Sequence, residues 1–322
     1  MVSGGKGDFM RNFLIGLAVL VALIAGALWY FSTPDIPRAA LETKYASPET
    51  HFVALADGTR ADYRERGSPN APTLLLLHGS NASLLTWESW SKRLSDSFHV
   101  VSVDLPGHGL TGAVPSGDYS QEGMAKFVGE FADKLGLKTF ALAGNSMGGG
   151  VAARFAEENP ARVTRLILVD AGGLPFEAQG GEPLAFKLAR MPVANRLLLY
   201  VTPRSLVVQG LNQAVVHKEI ITDAMIDSYW DFARMSGTRA ATLKRFQLPY
   251  DTFVADHTGA LTMPTLILWG EQDHLIPVAI AHDWQKAVKG SKLIVYPKTG
   301  HIPMEEVADQ SAADVRAFLT AK

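Results

Sequence analysis

From Thr73 onward, short unbroken apolar runs alternate with stretches whose apolar residues recur every three or four positions. The runs are Thr73–Leu77, Val100–Val103, Thr139–Ala143, Leu166–Val169, Thr265–Trp269 and Lys292–Tyr296. A strand that is apolar at every position, rather than at alternate ones, is covered on both faces. Between the runs, Phe127, Phe131 and Leu135 fall at spacings of four on one helical face, and Val307–Leu319 repeats the pattern. Ahead of them, His51–Ala56 alternates like an exposed strand, Asp57-Gly58 supplies a hairpin turn and Thr59–Arg66 returns. The pattern predicts an α/β fold with a mostly parallel, doubly wound sheet. Its chemistry belongs at the C-terminal strand ends.

One segment breaks the alternation. Residues 173–261 carry short apolar helices, Leu184–Met191, Asn195–Tyr200 and Thr222–Met235, but no core strand. On the last, Met225, Ile226, Tyr229, Trp230 and Ala233 share a helical spacing. An excursion this long between two strands of one sheet reads as an inserted helical cap. It interrupts a core formed by residues 49–172 and 262–322, and it is expected to roof an apolar pocket.

The N-terminus reads differently. Phe13–Phe31 is apolar and uncharged, preceded by Lys6 and Arg11 and closed by Trp29 and Tyr30. That predicts a transmembrane anchor over residues 1–31 with its N-terminus inside and a membrane contact through this helix. Ala25-Gly26-Ala27 resembles a signal-peptide cleavage site, the competing reading. On either reading the globular part is exported, to a periplasmic or other extracytoplasmic side. Residues 32–48, with Pro34, Pro37 and Pro48, read as a linker.

Composition narrows the chemistry. A net charge of −2 with scattered basic residues leaves no electrostatic footprint for nucleic acid. The absence of cysteine removes disulfides, thiolate metal sites and a cysteine nucleophile together. The histidines lack metal-ligand spacing and no glycine fingerprint for a dinucleotide occurs, so neither metal nor cofactor is expected.

What remains points to a serine. Gly144-Asn145-Ser146-Met147-Gly148 follows an apolar strand and opens a helix. This is the setting of a nucleophile elbow, a strained turn that pushes a serine hydroxyl into the open. The glycines leave room where neighbouring chain passes close, and the helix start aims free N–H groups at developing negative charge. Asp273 and His301 each follow a core strand, giving the chain order Ser, Asp, His. Asp170, also at a strand end, competes as the acid. His78, His108, His257, His274 and His282 are rivals to His301, with His78 and His108 better suited to bonding the backbone of their own turns. Met147 N–H is one expected oxyanion donor, and the loop His78-Gly79-Ser80-Asn81 supplies the other through Ser80 N–H, with Asn81 as the alternative.

From about His51 the chain resembles the α/β-hydrolase superfamily, in its serine-nucleophile, esterase- and lipase-like branch. The matching residues are His78-Gly79, Asp104-Leu105-Pro106-Gly107-His108-Gly109, Gly144-Asn145-Ser146-Met147-Gly148-Gly149, Gly270-Glu271-Gln272-Asp273 and Gly300-His301. The elbow is also similar to that of meta-cleavage-product hydrolases, which break carbon–carbon bonds. Ile302, where those enzymes typically carry tryptophan, and Ser80-Asn81-Ala82-Ser83 in place of a glycine-rich loop depart from them. The resemblance implies hydrolysis of an apolar small-molecule ester through an acyl-enzyme. A carbon–carbon hydrolase and a non-catalytic, membrane-tethered binding protein are the alternatives.

Overall fold

The computed structural model describes residues 5–176, 184–191 and 194–321. Eight strands form one sheet: β1 (Thr50–Ala54), β2 (Arg60–Arg66), β3 (Thr73–Leu77), β4 (His99–Val103), β5 (Phe140–Asn145), β6 (Val163–Val169), β7 (Thr265–Gly270) and β8 (Lys292–Tyr296). Their order is β1-β2-β4-β3-β5-β6-β7-β8. The hairpin β1–β2 and its pairing to β4 are antiparallel, and every pairing from β4 to β8 is parallel. The expected doubly wound sheet is therefore present, with the first hairpin as its antiparallel edge.

Strand β3 shows why the apolar runs are unbroken. Leu75 and Leu77 enter a core beneath the helices Gln121–Lys134, Met147–Glu158 and Ala279–Ala287. Leu74 and Leu76 enter a second core on the opposite face, against Glu88–Leu94 and Ala308–Thr320. Alternate side chains leave opposite faces, so both registers must be apolar.

Between β6 and β7 lie the helices Leu184–Arg190, Ala194–Leu198, Arg204–Ala214, Asp223–Ala233, Thr238–Phe246 and Phe253–His257. The first five wall the cavity described below, which Ser146 and His301 also line, and Phe253–His257 packs on the helix Met147–Glu158.

The spanning anchor expected over residues 1–31 is not supported. Among the described residues, no helix is long and apolar enough to cross a membrane. A helix does run from Gly5 to Phe31, but it begins on the polar sequence Gly5–Asn12, which contains Lys6, Asp8 and Arg11. Its side chains Phe13, Leu14, Ile15, Leu20 and Leu23 lie exposed.

The segment expected to be a linker is docked. Arg38–Tyr45 is helical, and Leu41 is buried with Leu110, Phe232 and Met235. Thr33 N–H donates to Tyr200 O at 2.8 Å, Ile36 N–H to Arg234 O at 2.8 Å, and Arg239 pairs with Asp35 at 2.8 Å. Residues 33–45 thus belong to the folded body.

Candidate active site

Ser146 stands at the turn between β5 and the helix Met147–Glu158, with φ +54° and ψ −122°. A non-glycine residue at positive φ is held there only when its surroundings over-determine it. Here Ser146 N–H donates to Val169 O at 3.0 Å, and Ser146 O accepts from Gly149 and Gly172 N–H groups at 3.0 and 2.8 Å. A Cβ at Gly144 would collide with the backbone of Gly148, and one at Gly148 with the carbonyls of Leu77 and His78. The two glycines are required because backbone occupies their side-chain space.

His301 follows β8 and lies buried, its Nδ1 2.7 Å from Asp273 Oδ2. The other Asp273 oxygen accepts from Leu275 and Ile276 N–H groups at 2.7 and 3.0 Å. A carboxylate that only accepts hydrogen bonds is suited to orient an imidazole and to balance its positive charge. No hydrogen bond joins His301 to the Ser146 hydroxyl among the described residues; both residues line one cavity. In ligand-free sites such bonds are commonly long and tighten when substrate binds.

The expected oxyanion donors lie beside the serine. Met147 is the first residue of its helix, and Gly79 passes close enough that a Cβ there would come within 3.1 Å of Ser146 Cβ. Ser80 and Met147 line the same cavity. Neither backbone N–H donates to a protein acceptor among the described residues, which leaves both able to meet an oxyanion.

Asp170 is close to the pair but differently placed. Ligand atoms of Asp170, Asp273 and His301 all lie within 4.8 Å of one another. Fully buried at φ +44°, Asp170 accepts one hydrogen bond on Oδ1 from Gly270 N–H at 2.9 Å, while Oδ2 has no partner. Burial first, and then the charge of Asp273, pushes its carboxyl well above the usual carboxylate range. Among the described residues these three are the one cluster able to gather three metal-ligating side chains. Asp273 is already taken up by His301 and two backbone donors, so the group is better arranged to hold an imidazole than a cation.

Three polar residues that the sequence did not single out brace this arrangement. Asn145 Nδ2 donates to Val169 O at 3.2 Å and His301 O at 3.0 Å, tying the elbow to the histidine loop. Glu306 accepts from Gly300 N–H at 2.7 Å with one oxygen, and from Val216 and His217 N–H groups at 2.8 and 2.9 Å with the other. His301 N–H itself donates to Ala214 O at 2.6 Å. Cap and histidine loop are thus joined. Arg245, from the cap, donates to the Ser80 hydroxyl at 2.5 Å. The elbow motif brackets Asn145, but nothing local marks the bonds of Glu306 to Val216 and of Arg245 to Ser80, which span 90 and 165 residues.

The rival histidines at strand ends do other work. His78 Nδ1 donates to Gly79 O at 2.7 Å and its Nε2 accepts from Leu105 N–H at 3.0 Å; burial lowers the pKa of its ring. His108 Nδ1 lies 3.0 Å from Pro106 O.

The cavity has a volume of about 1340 Å³, with Phe176, Phe186, Leu198, Leu206 and Leu211 among its apolar walls. It is large for a small-molecule site and would hold an extended chain.

Known proteins resemble the chain over most of its length. Monoacylglycerol lipase ABHD6 of Bos taurus is 28% identical over 332 residues, covering 97% of this chain and 90% of that one. The crystal structure of a membrane phospholipase A, a bacterial virulence factor, matches with a TM-score of 0.73 and 27% identity, covering 96% of this chain and 98% of that one. A meta-cleavage product hydrolase structure, CumD, has a TM-score of 0.69 at 21% identity, covering 84% and 97%, a likeness of fold alone. Residues 72–307 match the family described as alpha/beta hydrolase fold, and the chain belongs to that family.

Proposed function

We propose that the protein is a serine hydrolase that cleaves carboxylic esters of apolar acyl or alcohol groups, with Ser146 as nucleophile, His301 as base and Asp273 as orienting acid. The observation that carries the reading is the 2.7 Å bond between His301 and Asp273 at the wall of a cavity shared with a serine held at positive φ. His301 takes the proton of Ser146 as its oxygen attacks the ester carbonyl. Met147 and Ser80 N–H groups receive the negative charge of the tetrahedral intermediate. His301 then protonates the leaving alcohol, and water attacks the acyl-enzyme by the reverse route. The apolar cavity, together with a lipase and a phospholipase among the similar proteins, supports an ester with a long acyl chain. Ile302 and the polar loop after Gly79 favour this over carbon–carbon cleavage.

The reading extends to membrane attachment through Gly5–Phe31. It is supported by the exposed apolar side chains of that helix and by a similar protein that is itself a membrane phospholipase. We further propose that the catalytic part lies on the extracytoplasmic side, which protease accessibility in intact cells tests.

The deciding experiment profiles nitrophenyl esters of increasing acyl length with the parent chain and Ser146→Ala. The variant is expected to lose about three or more orders of magnitude in kcat while melting as the parent does. Full activity in Ser146→Ala would end the proposal.

A further inference from the structure

Arg245 stands out among the arginines whose side chains are largely buried. Arg64 meets Glu88, Arg154 meets Asp251, Arg234 meets Asp231 and Arg239 meets Asp35. Arg245, on the last turn of Thr238–Phe246, meets no carboxylate among the described residues. Its guanidinium lies 4.3 Å from the Phe246 ring, donates to the Ser80 hydroxyl, and keeps a buried Nε without a partner. None of the described residues supplies it with a compensating charge. Arg190 lines the same cavity and opposes it, while the acidic wall residue Asp251 is engaged by Arg154. Burial lowers the Arg245 guanidinium to about 10, which still leaves it cationic at neutral pH.

An uncompensated cation at a cavity wall costs free energy that a bound anion would recover. A guanidinium fork is shaped for the paired oxygens of phosphate or carboxylate. The position is also specific, because the residue it contacts, Ser80, is the proposed oxyanion donor. We propose that Arg245 is an anion-binding residue of this cavity, and that the ester accepted carries a phosphate or carboxylate group near the scissile bond. The inference rests on the ester-hydrolase reading and adds a charge requirement to an otherwise apolar pocket.

Three esters of equal acyl length test it on the full chain in detergent micelles: decanoyl glycerol, decanoyl glycerol 3-phosphate and decanoyl glycerate. The readout is the ratio of kcat/KM for each anionic ester to that for the neutral one. Arg245→Gln is expected to lower this ratio about tenfold or more, mainly through KM, and Arg245→Lys to restore part of it. A fall for the phosphate ester alone identifies a phosphate site; a fall for both identifies a general oxyanion site. Ser80→Ala removes the bond to Arg245 but keeps the backbone N–H, and it is expected to leave the ratio in place. An unchanged ratio in Arg245→Gln, or an equal fall in Ser80→Ala, would overturn the proposal in favour of a loop-positioning role. Should none of the esters be turned over, the hydrolase reading fails by itself. Calorimetry with decanoyl glycerol 3-phosphate then decides the anion site: binding about tenfold weaker in Arg245→Gln supports it, equal binding sinks it.

Discussion

Asp170 and Asp273 present two carboxyl groups to one imidazole, all within 4.8 Å, yet only Asp273 bonds His301. The division follows from their donors. Asp273 receives two backbone N–H groups and the ring, and Asp170 receives one N–H and is left with an unpartnered oxygen. A protonated Asp170 can turn that oxygen into a donor toward Asp273. Asparagine has the same shape and the same donor–acceptor pair, so Asp170→Asn is expected to stay within a few-fold of the parent kcat/KM at pH 7. Asp170→Ala, which leaves Gly270 N–H unsatisfied and opens a void, is expected to cost about ten- to a hundredfold. The sign of the pH effect follows from the raised pKa: deprotonation at high pH sets two carboxylates side by side, so activity falls on the alkaline side. Asp170→Asn should lack the part of that fall due to Asp170. Rate profiles from pH 6 to 10 read it directly.

Glu157 offers a pH effect on stability away from the site. It is buried on the helix Met147–Glu158, and neither carboxylate oxygen has a partner. Burial raises its pKa from 4.5 to about 8, against the opposing pull of Arg154. Because the folded chain holds this proton more tightly than the unfolded one, stability is full below about pH 4.5 and is lost as pH rises toward 8. Each pH unit in that window removes about 1.4 kcal/mol at most. Glu157→Gln is expected to flatten the dependence and to exceed the parent in stability at pH 8.5, measured by urea denaturation at several pH values.

Glu306 joins the loop of His301 to the cap with three backbone hydrogen bonds. Glutamine would set an NH₂ group against one set of those N–H donors. Glu306→Gln is therefore expected to lower stability by about 1–3 kcal/mol. It should also lower kcat about tenfold with a smaller change in KM, because the base is loosened while the pocket walls remain. Steady-state kinetics beside a thermal melt separates the two effects.

The sheet was legible because its strands are covered on both faces, which writes continuous apolar runs into the chain; β3 and β5 are examples. The candidate site was legible where short motifs sit at strand ends, as at Ser146, Asp273 and His301. What escaped notice is polar and distant. Glu306 and Arg245 act on backbone or side chains far along the chain, and nothing beside them announces it. Arg38–Tyr45 is indistinguishable from a linker in sequence because only Leu41 of its eight residues is buried, too slight a mark to stand out among prolines and charges. The apolar run near the N-terminus suggested a complete membrane span, whereas no described helix reaches that length and apolarity.

The hydrogen bonds from Thr33 and Ile36 to Tyr200 and Arg234 set a limit on trimming the protein. Shortened versions that start ahead of Thr33 would keep this seam. Versions that start after Tyr45 would strip the cover from Phe232 and Met235 and present a sticky scar beside the roof of the pocket. A poorly behaved short version would then report a misplaced cut, not an unstable catalytic body.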